Sequence, residues 1–339
     1  MAKHALLSAS GAQRWLSCPP SARLEEAVEE QSSEYAREGS FAHELAELYL
    51  AQELGLIKKS DFNKRLKELR QNPFYSEELD AYVKIYLDFA IEKINEARAR
   101  TRDAVVLLEM KLDYSTWVPE GFGTGDLVLV TDDVLEVIDF KFGRGIQIGA
   151  EDNPQMRLYA LGALSQFGCL YEVNTVRMTI VQPRLDSIST DEMAVEELVD
   201  WGEKMVKPIA DLAFKGEGEF KAGGHCRFCR VRATCRARAE MNMKLACYDF
   251  KEPPLLTDEE IVEVLDAADE YMKWISDLQG YALDQAVNNG KKWPGYKLVE
   301  GRSYRRYKDQ GKVAEALIAA GYKEDEIYEK VLLGITKME

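Results

Sequence analysis

The sequence predicts an α/β fold, with strands gathered in the middle of the chain and helices before, among and after them. Three observations lead there. Apolar residues recur at helical spacing over 41–50 and 76–99. Three successive runs rich in Val, Leu and Ile then occupy 104–112, 123–131 and 134–142, each bounded by turn residues. Beyond them a helix, a strand and a helix follow, and the last ninety or so residues carry helical patterns.

Taken in order, Ser10 is placed to cap a short helix through Trp15 that stops at Cys18-Pro19-Pro20. Ser40 precedes a helix whose apolar residues are Phe41, Ala42, Leu45, Leu48 and Tyr49. A longer helix is expected over 76–99, before the three strands. Asn153-Pro154 opens a helix through Phe167, with proline at the favoured first position. Residues 173–182 read as a strand, 191–214 as a helix, and 255–289 as a long helix followed by two short ones. Pro253-Pro254 marks a break near residue 250, giving an expected first domain over 1–250 and a mainly helical accessory domain over 251–339.

The 339 residues are 46% hydrophobic and 30% charged, ordinary for a globular protein with a sizeable core. No apolar run is long enough to span a membrane, and the first residues lack the apolar core of a signal peptide, so the expectation is a cytoplasmic protein without membrane contact. The net charge of −15 opposes approach to nucleic acid. It is unevenly spread, however. Between Lys221 and Lys244 there are seven Lys or Arg and one acid, and Arg302, Arg305, Arg306 and Lys308 form a second basic group. Such runs serve equally as solvated faces or as phosphate contacts.

The densest chemistry lies in Gly123-Thr-Gly-Asp126 and Ile138-Asp139-Phe-Lys141. If the second and third strands join through a two-residue turn at Asp132-Asp133, Asp126 and Asp139 stand directly opposite one another. Opposed residues have Cβ atoms roughly 4.5–5.5 Å apart on one face. Lys141, two residues beyond Asp139, shares that face. Apolar residues on both sides of this hairpin imply burial, and buried acids need partners. A divalent cation with oxygen ligands answers that need, with Lys141 orienting an attacking water. A one-residue slip in register would destroy the arrangement. Glu109, at the end of the preceding strand, is a further acid available as a ligand or supporting group.

The pattern Gly-x-x-Asp126…Asp139-x-Lys141 followed by Gln155-x-x-x-Tyr159 resembles the nuclease domains of the RecB and AddB family, and is similar to the CRISPR-associated RecB-like exonucleases. The resemblance implies a PD-(D/E)XK restriction-endonuclease-like core, a mixed sheet flanked by helices. It further implies Mg²⁺ or Mn²⁺ on His43, Asp126 and Asp139, Lys141 assisting the water, and Gln155 and Tyr159 lining the DNA side of the site. By themselves, a histidine in an apolar helix and a Gln/Tyr pair at i, i+4 are more often structural. Only the constellation gives them significance.

Six cysteines in such a chain point to metal binding more than to disulfides. Cys226, Cys229 and Cys235 form a Cys-x₂-Cys-x₅-Cys run, and a four-ligand site needs one more residue. Spacing alone leaves His225, Cys247 and Cys18 open. RecB-like nucleases with clusters carry one Cys before the nuclease core and three after it. The resemblance therefore implies a [4Fe–4S] cluster on Cys18, Cys226, Cys229 and Cys235, closing a loop of about two hundred residues. Zn²⁺ is the alternative occupant. Cys169 and Cys247 are expected to be ordinary buried thiols.

These readings converge on a metal-dependent deoxyribonuclease, expected to act as an exonuclease on DNA in recombination, repair or end processing, and similar to nuclease-like proteins carried by bacteriophages. No phosphate-binding loop of an ATP-driven motor occurs. Unwinding would need a helicase partner, and a single-strand-binding or recombinase partner fits the same role. Two other classes stand beside this one: a nuclease-like fold that binds DNA or a partner without cutting, and a zinc-bearing scaffold with an acidic surface. The Gly301–Tyr307 segment, basic and aromatic, suits single-strand stacking or a solvated strand.

Overall fold

A computed structural model of the chain describes residues 5–28, 33–243, 257–300 and 309–328. Its centre is a mixed five-stranded sheet in the order β1-β2-β3-β4-β5. The strands are β1 (Val105–Asp113), β2 (Phe122–Val130), β3 (Val134–Phe140), β4 (Thr175–Gln182) and β5 (Ser187–Ala194). All neighbours are antiparallel except β3 and β4. That parallel step needs a crossover, and a helix supplies it.

Helices α1 (Ala12–Ser17), α2 (Ser21–Glu26), α3 (Glu34–Glu53), α4 (Lys59–Leu69) and α5 (Glu77–Arg100) precede the sheet, and α6 (Pro154–Phe167) makes the crossover. After β5 come α7 (Val195–Trp201), a π-helical turn over Gly202–Val206, α8 (Lys207–Lys215) and α9 (Arg236–Met243). One face of the sheet packs Val128, Val130, Leu135 and Val137 with Met156 and Leu161 of α6 and Trp15 of α1. The other packs Leu127, Leu129, Ile138 and Phe140 with Phe41 and Leu45 of α3 and Tyr86 and Ile94 of α5. Every residue of β3 is buried, which is why its sequence is a continuous apolar run with two acids rather than an alternation.

The chain divides into a unit over Met1–Gln279 and a unit over Gly280–Glu339, so α10 (Asp258–Asn288) contributes to both. The second unit also holds α11 (Gln310–Ala319) and α12 (Glu324–Ile327), and Trp293 Nε1 donates to Ala282 O at 2.9 Å within it. The break expected near residue 250 lies outside the described residues, as does the whole of Gly301–Tyr307. No helix among the described residues is long and apolar enough to cross a membrane.

Three local expectations need correction. The helix expected from Asp191 starts at Val195, because residues 187–194 form the polar edge strand β5. There Glu192 pairs across to Arg177 and Thr190 to Thr179, so acids that read as a helical first turn are cross-strand partners. The cap of α3 is Ser33, whose side chain accepts from Ala36 N, and Ser40 lies inside the helix, its hydroxyl donating to Ala36 O at 3.0 Å. Ser8, not Ser10, caps the first turn by accepting from Gly11 N, and α4 has no counterpart among the expected elements.

Candidate functional site

The site begins with the β2–β3 hairpin. Thr131 N donates to Val134 O at 3.0 Å, and the Thr131 hydroxyl donates to the same oxygen at 2.8 Å, leaving Asp132-Asp133 as a two-residue turn. The register runs Val130↔Leu135 through Leu127↔Ile138. That is the register the sequence reading assumed, and its pairs stop one step short of Asp126 and Asp139. Here the ladder opens. Instead of backbone pairing, the Phe140 N–H donates to Asp126 Oδ2 at 2.6 Å, and Lys141 N continues the parallel ladder to Val181 O at 2.9 Å. A carboxylate thus takes the place of a backbone partner at the strand ends, with Asp139 buried and Asp126 partly buried.

Two groups of side chains converge on this opening. On one side, Lys141 Nζ lies 3.0 Å from Asp139 Oδ2 and donates to Gln155 Oε1 at 3.1 Å. Gln155 Nε2 reaches Asp139 Oδ1 at 3.2 Å and the Tyr159 hydroxyl at 3.3 Å. Helix α6 presents these two residues one turn apart because Asn153 caps it, accepting from Gln155 N and Met156 N, with Pro154 at its first position. Tyr159 lies flat against Gly123, where a Cβ would come within 2.6 Å of the ring. The glycine of the motif is thus the space the tyrosine occupies.

On the other side, His43 of α3 places Nδ1 3.2 Å from Asp126 Oδ1. His43, Glu109 and Asp126 bring one ligand atom each to within 4.8 Å of one another. Ala46, Glu47, Leu50, Tyr86, Leu108 and Phe140 complete a cleft around them whose free space, about 10 Å³, suits a water or a small ion rather than an organic cofactor. Glu109 arrives by an irregularity. The β1–β2 register pairs Leu108↔Leu127 and Met110↔Gly125 but omits Glu109, whose φ of +46° lies in the left-handed region. Such backbone is strained for a side-chain-bearing residue and concentrates at functional sites. The sequence has no signal for that twist, and from it Glu109 ranks below Asp139. In the structure Glu109 joins His43 and Asp126, while Asp139 is engaged with Lys141 and Gln155.

The electrostatics record an excess of acid. Burial, and then the charge of Asp126, push Glu109 up to about 7. Burial raises Asp139, with Asp126 adding to the rise and Lys141 opposing it. Burial alone would lower His43, but the charge and hydrogen bond of Asp126 carry it up to about 9. Burial is the largest cause for the two acids, and the charges of their neighbours come second, while for His43 the nearby carboxylate outweighs burial.

The cysteines lie elsewhere. Cys18 follows α1, and Cys226 sits in the turn Gly224–Phe228, which packs on α1. Cys18, Cys226 and Cys229 are buried and Cys235 is half-buried at the start of α9. Ordinary hydrogen bonds already join these distant segments. Arg230 N donates to Glu25 Oε1 at 2.6 Å across 205 residues, Glu25 also pairs with Arg14, and Arg23 Nε donates to Phe214 O at 2.6 Å. Cys18 meets His225: burial would raise its thiol, but hydrogen bonds from the His225 side chain and the Lys221 and Ser21 backbone hold it low. Burial pushes Cys229 up to about 12, with Glu25 adding to the rise. Cys169 is exposed rather than buried, because it falls in the turn after α6 and not on a packed face, and Cys247 lies outside the described residues. Two of the basic residues counted in this stretch are engaged by acids, Arg238 buried and Arg232 partly exposed. Arg238 and Arg232 turn toward Glu270 and Asp277 of α10.

A family profile described as "Protein of unknown function (DUF2800)" matches residues 4–339. Among solved structures, the chain is similar to that titled "Crystal structure of SSO0001", at 15% identity over 66% of this chain and 96% of that one, with a TM-score of 0.25.

Proposed function

We propose that this chain, which belongs to the DUF2800 family, is a divalent-metal-dependent deoxyribonuclease of the PD-(D/E)XK type. The observation that carries the reading is the opened hairpin, with Asp126 opposite Asp139 and Lys141 two residues on, flanked by the Gln155–Tyr159 pair. An imidazole and carboxylate oxygens gathered around one small cleft suit Mg²⁺ or Mn²⁺. Glu109 stays protonated up to about pH 7 beside Asp126, which is how a site built for a cation relieves its surplus negative charge without one.

A bound Mg²⁺ or Mn²⁺ would polarise a phosphodiester and lower the pKa of a water. The residues divide the remaining work. His43, Asp126 and Glu109 would hold the ion, with Asp139 tied to Lys141 and Gln155 beside them. Lys141, fixed between Asp139 and Gln155, would place its ammonium beside the scissile phosphate and offset its developing charge. Tyr159 and Gln155 would border the DNA strand. Cys18, Cys226, Cys229 and Cys235 would hold a [4Fe–4S] cluster, or Zn²⁺ in its place, reinforcing a junction that Glu25 and Arg230 already make. The biological setting that fits is DNA end processing in recombination or repair.

A non-cleaving DNA- or partner-binding role is the second reading, favoured by the net charge of −15 and by the pairing of Arg232 and Arg238 with acids of α10. One assay separates the two: end-labelled linear and closed circular DNA with Mn²⁺ or Mg²⁺, wild type beside Asp139→Ala. The nuclease reading expects cleavage that falls at least about a hundredfold in the variant. Equal cleavage by both proteins, or none by a metal-loaded wild type, removes it.

A further inference from the structure

Tyr86 of α5 is a buried tyrosine whose hydroxyl has no hydrogen-bond partner among the described residues. A buried hydroxyl without a partner is costly, and such groups are rare in native proteins. Its surroundings are specific. The ring stacks on Phe140, with centroids 4.4 Å apart and planes at 17°, and lines the cleft shared by His43, Glu109 and Asp126. Phe140 is the residue between Asp139 and Lys141, and its own N–H holds Asp126. The hydroxyl is buried, and Tyr86 lines the same cleft as Glu109 and Asp126, so acids of the site are its neighbours.

A phenylalanine would fill the same apolar space and stack equally well on Phe140, without the desolvation of a hydroxyl. The oxygen therefore needs a partner beyond the described residues. The geometry points to Tyr86 as a positioning residue of the metal site, its hydroxyl donating a hydrogen bond to a water that enters the cleft with the divalent cation. Magnesium and manganese retain several waters when bound by few carboxylates, and besides the ligating side chains and this hydroxyl the cleft is lined by Glu47 and the apolar Ala46, Leu50, Leu108 and Phe140. This inference rests on the metal-site half of the functional reading, and does not require that DNA be cut.

The test is calorimetric titration of Mn²⁺ into metal-free wild type and Tyr86→Phe, with thermal unfolding of both in EDTA. Loss of one hydrogen bond within a charged site is expected to weaken Mn²⁺ about tenfold. In EDTA the variant should unfold at the same temperature or higher, because it no longer buries an unpartnered hydroxyl. An unchanged Mn²⁺ affinity overturns the inference and leaves the nuclease reading standing. A lower unfolding temperature in EDTA overturns it too, since the hydroxyl would then have a partner within the protein. Wild type that binds no Mn²⁺ removes the inference and the metal site together. Wild type that binds Mn²⁺ tightly but cuts no DNA removes the nuclease reading alone.

Discussion

Two clusters of charged residues in the first unit invite comparison, one at the β2–β3 opening and one between α9 and α10. The second is closed on itself. Arg238, only 1% exposed, pairs with Glu270 at 2.7 Å and Asp277 at 2.6 Å, and Arg232 adds a second cation at 3.0 Å from Asp277. Two acids meet two guanidinium groups. Burial alone would raise Asp277, but the hydrogen bonds from Arg238 and Arg232 hold it below its ordinary value. The first cluster does not close. Glu109, Asp126, Asp139 and the cleft-lining Glu47 face one lysine and one histidine, and burial holds Glu109 and Asp139 above their ordinary values. A charge set that balances internally is a structural clip, whereas one left with surplus acid is arranged for a cation from solution.

The comparison breaks most easily at the clip. Arg238→Ala leaves Glu270 and Asp277 facing each other, and should cost about 2–3 kcal/mol, less than for a fully buried pair because both acids are partly in water. Urea unfolding monitored in the first unit measures it. A loss below about 0.5 kcal/mol would mean that the pairs form without contributing, and that the cluster does not clip the two helices together.

How far each cluster was legible in the sequence differs for physical reasons. The acid pair was legible because hairpin pairing follows from turn length: once Asp132-Asp133 is the turn, Asp126 must oppose Asp139. Helix α6 was legible because Asn153-Pro154 is a local cap signal. Glu109 was underweighted because nothing local announces a left-handed residue in a run of strand formers. The clip was invisible as a clip: Arg232 and Arg238 looked like part of a basic stretch, and only tertiary packing reveals that α10 supplies their acids. Strand β5 was lost because a polar edge strand carries weak periodicity and its acids suit a helix start equally well.

Glu109→Gln sharpens the contrast from the open side. An acid raised to about 7 in the folded state costs stability when it ionises, so the cost begins as pH rises above the ordinary 4.5 and is complete above about 7. Glutamine cannot ionise. In EDTA at pH 8 the variant should therefore unfold a few degrees higher than wild type, with the difference vanishing by about pH 4.5. With saturating Mn²⁺ the order should invert, because a ligand has been lost. Thermal unfolding across these conditions reads both signs. A variant less stable in EDTA at every pH would show Glu109 to be a structural acid after all.

The smallest effect is expected at Asp277→Asn, and its sign is opposite. A carboxyl held below 3.8 contributes stability that is present above that value and is lost as pH falls through the lower folded one. The asparagine variant keeps a hydrogen-bond acceptor for Arg238 but no charge. It should be less stable than wild type at pH 7 by under about 1 kcal/mol, Asp277 being partly exposed. Acidification below 3.8 should close that gap, since wild type then loses the same charge. Urea midpoints for both proteins at neutral and acid pH decide it. A gap that persists in acid would assign the loss to packing rather than charge, and the distinction between a balanced and an unbalanced cluster would then rest on the Glu109 site alone.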